Sequence, residues 1–140
     1  MRAEEVRSME LALQGFGCSQ ILLLLELERE GKTSPELVRA VSGLHGGLGF
    51  TGKICGALSG GCCALALHLG RGTPEETEDP GLNPAIRCLV EWFEAEVGKR
   101  YGGSECSNIL AGDPRARLSR CPQIIGSVHE KVQQILGSRS

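Results

Sequence analysis

The 140-residue chain predicts an all-α fold, a single-domain helical bundle of about five to seven helices. Three observations carry that expectation. Apolar residues recur at helical spacing along most of the chain, no stretch sustains the alternation of a half-buried strand, and Gly, Pro, Ser and Thr punctuate the sequence where helices would start or stop. The length suits one hydrophobic core, which we place over residues 1–137, with a frayed tail at 138–140.

Arg2 to Gln14 reads as an amphipathic helix with Val6, Met9, Leu13 and neighbouring Leu11 on its inner side. Gly15-Phe16-Gly17 interrupts it. A second helix runs from Cys18 to Glu30 and stops at Gly31, and its leucines occupy more than one face, so it should be largely buried. Thr33-Ser34-Pro35-Glu36 looks like a helix start, with Thr33 and Glu36 closing a capping box and a proline in the first turn; a short helix follows to Ser42. The loop 43–52 holds five glycines, Gly43, Gly46, Gly47, Gly49 and Gly52, and can bring backbone N–H groups close to a bound group. Gly52-Lys53 lacks the following Ser or Thr of a phosphate loop, which argues against a nucleotide.

A central helix is expected from about Lys53 to Leu69, with Gly52, Gly56, Gly60 and Ala64 recurring every four residues to form a shallow groove for a neighbouring helix. Arg71 to Gly81 is acidic and broken by prolines, so it reads as a solvated connection. Asn83-Pro84 resembles a cap and first-turn proline for a helix from Ala85 to about Tyr101, with Ile86, Leu89, Val90, Phe93 and Val97 inward. Gly102-Gly103-Ser104 ends it, and a short helix follows from Cys106 to Leu110. After Gly112-Asp113-Pro114, Cys121-Pro122 is expected to open the last helix, whose stripe is Ile124, Ile125, Val128, Val132, Ile135 and Leu136.

A formal charge of −2 and a pI near 5.9 give no basic field for nucleic acid or an anionic membrane. Glu4, Glu5 and Glu10 stand where an export signal would need an apolar run, and the longest uncharged stretch, 54–69, is too short to span a bilayer. The expectation is a cytoplasmic protein, whose seven cysteines then point to metal binding or redox chemistry rather than a disulfide framework.

Four of those cysteines, Cys18, Cys55, Cys106 and Cys121, fall at expected helix starts. Free N–H groups and the helix dipole there favour a thiolate. Each alone also reads as a small buried hydrophobe; the repeated setting is what suggests that the four meet at one redox or metal site, shielded by Gly46, Gly47, Gly49, Gly52 and the helix start at Gly56. Cys62, Cys63 and Cys88 lie inside helices and are assigned to core packing. Cys62 shares a face with Cys55 about 10 Å further along, which leaves it at most an accessory ligand or relay. His45, beside the glycine loop, is a second accessory candidate as ligand or proton donor, while His68 and His129 read as ordinary helix residues.

The absence of any C-x-x-C pair removes zinc-ribbon and thioredoxin signatures, and with no C-x-x-C-H there is no haem attachment. Three readings stay open: electron transfer or metal storage through an iron–sulfur or other thiolate-bound centre; metal-free thiol–disulfide exchange; and a non-catalytic helical interaction protein with buried thiols. No catalytic residue is assigned.

The runs Gly15-Phe16-Gly17-Cys18 and Cys55-Gly56-Ala57-Leu58-Ser59-Gly60, followed by Cys106 and Cys121, resemble a redox-active family named for its C…GCAxxG…C…C cysteine pattern. The resemblance spans Gly15 to Cys121 and maps the family's cysteines onto Cys18, Cys55, Cys106 and Cys121, and its glycines onto Gly56 and Gly60. It implies a small α-helical protein of anaerobes. A similar domain accompanies the haem-binding part of split-Soret cytochromes, where an iron–sulfur centre has been assigned to it, and this favours electron transfer. Cys62-Cys63 departs from the aliphatic residues expected after the core motif. Without a haem of its own, the chain would need a separate redox partner protein.

Overall fold

Leu22, Leu23, Leu25 and Leu27 point to several sides of one helix, and each is almost fully buried, so the rest of the chain has to wrap that helix. It does so with helices alone. The structure, a computed structural model, describes residues 2–138 and holds seven α-helices there, with no strand among the described residues. They are α1 (Ala3–Leu13), α2 (Cys18–Arg29), α3 (Pro35–Val41), α4 (Gly56–Leu69), α5 (Leu82–Phe93), α6 (Cys106–Leu110) and α7 (Ala116–Gly137). A π turn at Glu94–Gly98 carries α5 on into Lys99–Tyr101. Met1 and the last two residues of the expected frayed tail lie outside the described residues.

α2 packs on α4, with α1 and α7 on another side and α3 on a third. Leu89 and Phe93 of α5, Leu65 of α4, and Val128 and Val132 of α7 close the main core, while Leu23 and Leu27 meet Val38 and Val41 in a smaller one. The expected glycine groove is occupied. A Cβ on Gly60 would stand 3.0 Å from the Ser19 backbone of α2, and one on Gly61 2.8 Å from Val128 and 2.9 Å from Leu89. Among the described residues no helix is long and apolar enough to cross a membrane.

Several elements depart from the sequence expectation. α1 turns Ser8 and Leu11 inward and leaves Val6 and Leu13 exposed, because Glu4 on that inner face bonds His129 of α7. Ser34 rather than Thr33 caps α3, its hydroxyl accepting from the Leu37 amide, with Pro35 in the first position. α5 begins at Leu82, before Asn83-Pro84, since Asp79 accepts from the amides of Gly81 and Leu82. α4 begins at Gly56, after Lys53.

The last helix begins six residues before Pro122, so Cys121 is not at its start. Asp113 sets that start: its side chain accepts from the Arg115 amide at 3.0 Å and its carbonyl from Ala116. Pro122 deprives the Leu118 carbonyl of its usual donor, tolerably because Leu118 lies at the surface. Cys88 is exposed rather than packed, since Ala85, Leu89 and Phe93 take the inner face of α5 and turn Arg87 and Cys88 outward.

His68 and His129 are not ordinary helix residues. Glu26 of α2 is 0% exposed, and its carboxylate accepts from His68 Nε2 at 2.7 Å, from His129 Nε2 at 2.9 Å and from Gln133. His129 Nδ1 reaches Glu4 at 2.9 Å. One buried carboxylate thus ties α2 to α4 and α7, and through His129 to α1. Burial alone would push the Glu26 carboxyl up; the hydrogen bonds from His129 and His68 reverse this and hold it at about 2. Burial pushes His129 down, but its bonds to Glu26 and Glu4 raise it on balance. The signal was present in sequence, as a lone carboxylate between Leu25 and Leu27 that had to find partners.

Candidate functional site

The glycine stripe decides where the first two cysteines sit. Cys18 is the first residue of α2, and Cys55 occupies the cap position of α4. Where the helices cross, a Cβ on Gly56 would overlap the Cys18 sulfur and stand 3.2 Å from the His45 Cα. Only glycine after Cys55 lets the two helix starts close on one another. The first turn of α2 is fixed from outside: Ser19 Oγ donates to the Val41 carbonyl at 2.8 Å, and Gln20 spans the Gly17 amide and the Val38 carbonyl. That anchors the segment carrying His45, whose ring packs where a side chain on Gly17 would lie.

The glycine loop brings the third cysteine. Gly46, Gly47, Gly49 and Gly52 all adopt positive φ, and the loop folds back so that the amides of Gly52 and Lys53 donate to the carbonyls of Gly46 and Gly47. Its end is clamped to the start of α6: Cys106 N donates to the Lys53 carbonyl at 2.7 Å, Ser107 N to that of Gly52 at 3.1 Å, and Ile54 bridges Glu105. Cys106 is thereby held beside the residue before Cys55. Gly43, the remaining glycine of the loop, has no positive φ.

Cys121 arrives from the second turn of α7. Cys18, Cys106 and Cys121 line one cavity of about 390 Å³ together with Phe16, Phe50 and His45. Cys55, 6% exposed, lies buried beside them, close enough for its sulfur to interact with those of Cys18 and Cys121. Cys121 interacts in turn with Cys18 and Cys106. Three of the four cysteines named from sequence therefore line one cavity, and the fourth, Cys55, is buried beside it rather than in its wall. Cys62 and Cys63 do not join them: Cys62 packs on the main core and Cys63 on the smaller one, each half-buried.

Three of the four thiols, Cys55, Cys106 and Cys121, depart from the expected thiolate-favouring setting. Burial, then the neighbouring Cys18 charge, pushes Cys55 far above the ordinary thiol range, although the Ala57 and Leu58 amides oppose it. Burial, followed by Cys18 and Cys106, takes Cys121 up to about 12, and burial raises Cys106 as well. Desolvation outweighs the helix-start field. Arg117, missed in sequence although it stands four residues before Cys121 on the same helix face, lowers both Cys106 and Cys121. Its guanidinium lies 5.7 Å over the Phe50 ring, which tilts against His45 at 5.3 Å. His45 Nδ1 is buried without a hydrogen-bond partner among the described residues.

Seven helices that bring three thiols to one cavity, with Cys55 buried beside it, define a small all-α protein with neighbouring thiols from separate elements. The chain belongs to the C_GCAxxG_C_C family, described as "Putative redox-active protein (C_GCAxxG_C_C)", whose profile matches residues 16–135 and so takes in all four cysteines. No curated protein and no solved structure matches it. Where the family name has GCAxxG, this chain reads Cys55-Gly56-Ala57-Leu58-Ser59-Gly60, and both glycines are the ones that seat α4 on α2.

Proposed function

We propose that Cys18, Cys55, Cys106 and Cys121 bind an iron–sulfur centre and that the protein is a cytoplasmic electron carrier. The observation that supports this most directly is four neighbouring thiols around one cavity with apolar walls, three of them raised in pKa by burial. At neutral pH such thiols stay protonated and attack disulfides poorly, which weighs against metal-free exchange. A metal displaces those protons outright.

Four thiols from separate elements suit a cluster, for which four cysteines are the usual ligand set. When bound, such a centre takes up and releases single electrons. The chain's own part is to hold four sulfurs from four elements, to keep water out with Phe16, Ile21 and Ile125, and to offset negative charge with Arg117. His45, which also lines the cavity, would serve as an accessory ligand or proton donor.

The test is an absorption spectrum with iron and zinc analysis on protein purified without oxygen. Iron with visible charge-transfer bands is expected, lost in Cys121→Ser and retained in Cys88→Ser. A colourless, metal-free protein whose thiol count falls by two on mild oxidation would replace this reading with dithiol chemistry.

A further inference from the structure

The rim of the cysteine cavity is charged opposite to the molecule. Among the described residues Arg115 and Arg117 line the cavity and no carboxylate does; at its edge Lys53 stands next to Ile54, which bridges Glu105, and Asp113 pairs with Arg115, while residues 11–25 carry no charge. The chain as a whole stands at −2. The same rim exposes apolar side chains. Phe50 and Leu118, which line the cavity, are 61% and 53% exposed, and Ile54, next to Cys55, is 50% exposed. The Arg115 side chain is almost wholly in solvent and pairs with Asp113 at 3.3 Å.

We infer that this rim docks an acidic one-electron carrier protein, one that presents carboxylates around an apolar patch over its own redox group. The inference rests on the electron-carrier reading and names its partner. Charge complementarity selects the occupant: the two arginines in the cavity wall, with Lys53 nearby, steer an anionic protein onto the cavity despite the net negative charge, and two copies of this chain would set like-charged rims against each other. A few exposed apolar residues inside a charged ring suit the small, short-lived contact of electron-transfer encounters. In each encounter one electron leaves one centre and enters the other; no bond forms or breaks.

The experiment is calorimetric titration of the anaerobically purified full chain with an acidic ferredoxin, and in parallel with cytochrome c as a basic carrier. Lys53→Glu/Arg115→Glu is compared with Arg39→Glu/Arg87→Glu, an equal charge change on exposed residues away from the cavity. Binding of the ferredoxin at low salt is expected to weaken with added salt and to fall about tenfold or more in the first variant only, with no comparable binding of cytochrome c. No ferredoxin binding, a salt-independent affinity, or equal loss in both variants would overturn the docking surface. A dimer in sedimentation that dissociates on Phe50→Ser would overturn it in favour of a second copy. Iron content of the same samples separates the two levels: iron present without docking overturns only the partner, and rim-dependent docking by an iron-free protein upholds the surface and overturns the electron carrier.

Discussion

At the scale of single residues, Gly56 carries more of the site than any cysteine does. A methyl group there would meet the Cys18 sulfur, the His45 backbone and the Ser19 amide together, so the helices must part or Cys18 must leave the cavity. Gly56→Ala is expected to cost about 1–3 kcal/mol in urea unfolding and to lower iron per chain in the same preparation. Gly43→Ala is the control. Nothing lies within 4 Å of a Cβ there and its φ is not positive, so neither quantity should change. An unchanged iron content in Gly56→Ala would mean that the Cys18–Cys55 juxtaposition is not what holds the centre.

At the scale of elements, the cysteines were legible in sequence wherever a local signal places them, and illegible where a distant residue does. Gly17-Cys18 and Ile54-Cys55-Gly56 stand at real helix starts because glycine and chain direction settle the matter locally. Cys121-Pro122 mimics a helix start, yet Asp113 had already begun α7. The grouping of the four was a guess from repeated settings; the clamp between the glycine loop and α6 that holds Cys106 there is a long-range backbone pairing no periodicity reveals. The upward shifts of Cys55, Cys106 and Cys121 are not legible in sequence, because a helix-start field is visible there whereas desolvation depends on packing. Asp113→Ala should therefore loosen the first turns of α7 ahead of Cys121, at a cost near 1 kcal/mol. Faster amide exchange confined to residues 116–120 would show it; uniform exchange along α7 would place the start signal elsewhere.

At the scale of the whole molecule, one fully buried carboxylate links four helices, and this fixes how stability depends on pH. Both ring nitrogens of His129 face carboxylate oxygens, at 2.9 Å each. With both carboxylates ionised, each ring nitrogen donates, which favours the imidazolium and raises the ring's pKa in the folded protein. Below its ordinary value of 6.5 the ring is protonated folded or unfolded, and the stabilisation is complete; as pH rises through the higher folded-state value it is lost. Glu26 acts on the acid side. Its contribution is complete above the ordinary 4.5 and is lost as pH falls towards about 2. The stability contributed by this network is therefore greatest between about 4.5 and 6.5 and declines on either side. Glu26→Gln leaves the buried His129 ring with Glu4 as its one carboxylate partner among the described residues, so it should cost about 3–5 kcal/mol and weaken the alkaline decline, because the first of the two hydrogen bonds that raise His129 is gone. Urea unfolding across this pH range in both proteins is the measurement. A parallel alkaline decline in Glu26→Gln would assign it to another group and leave Glu26 as packing alone.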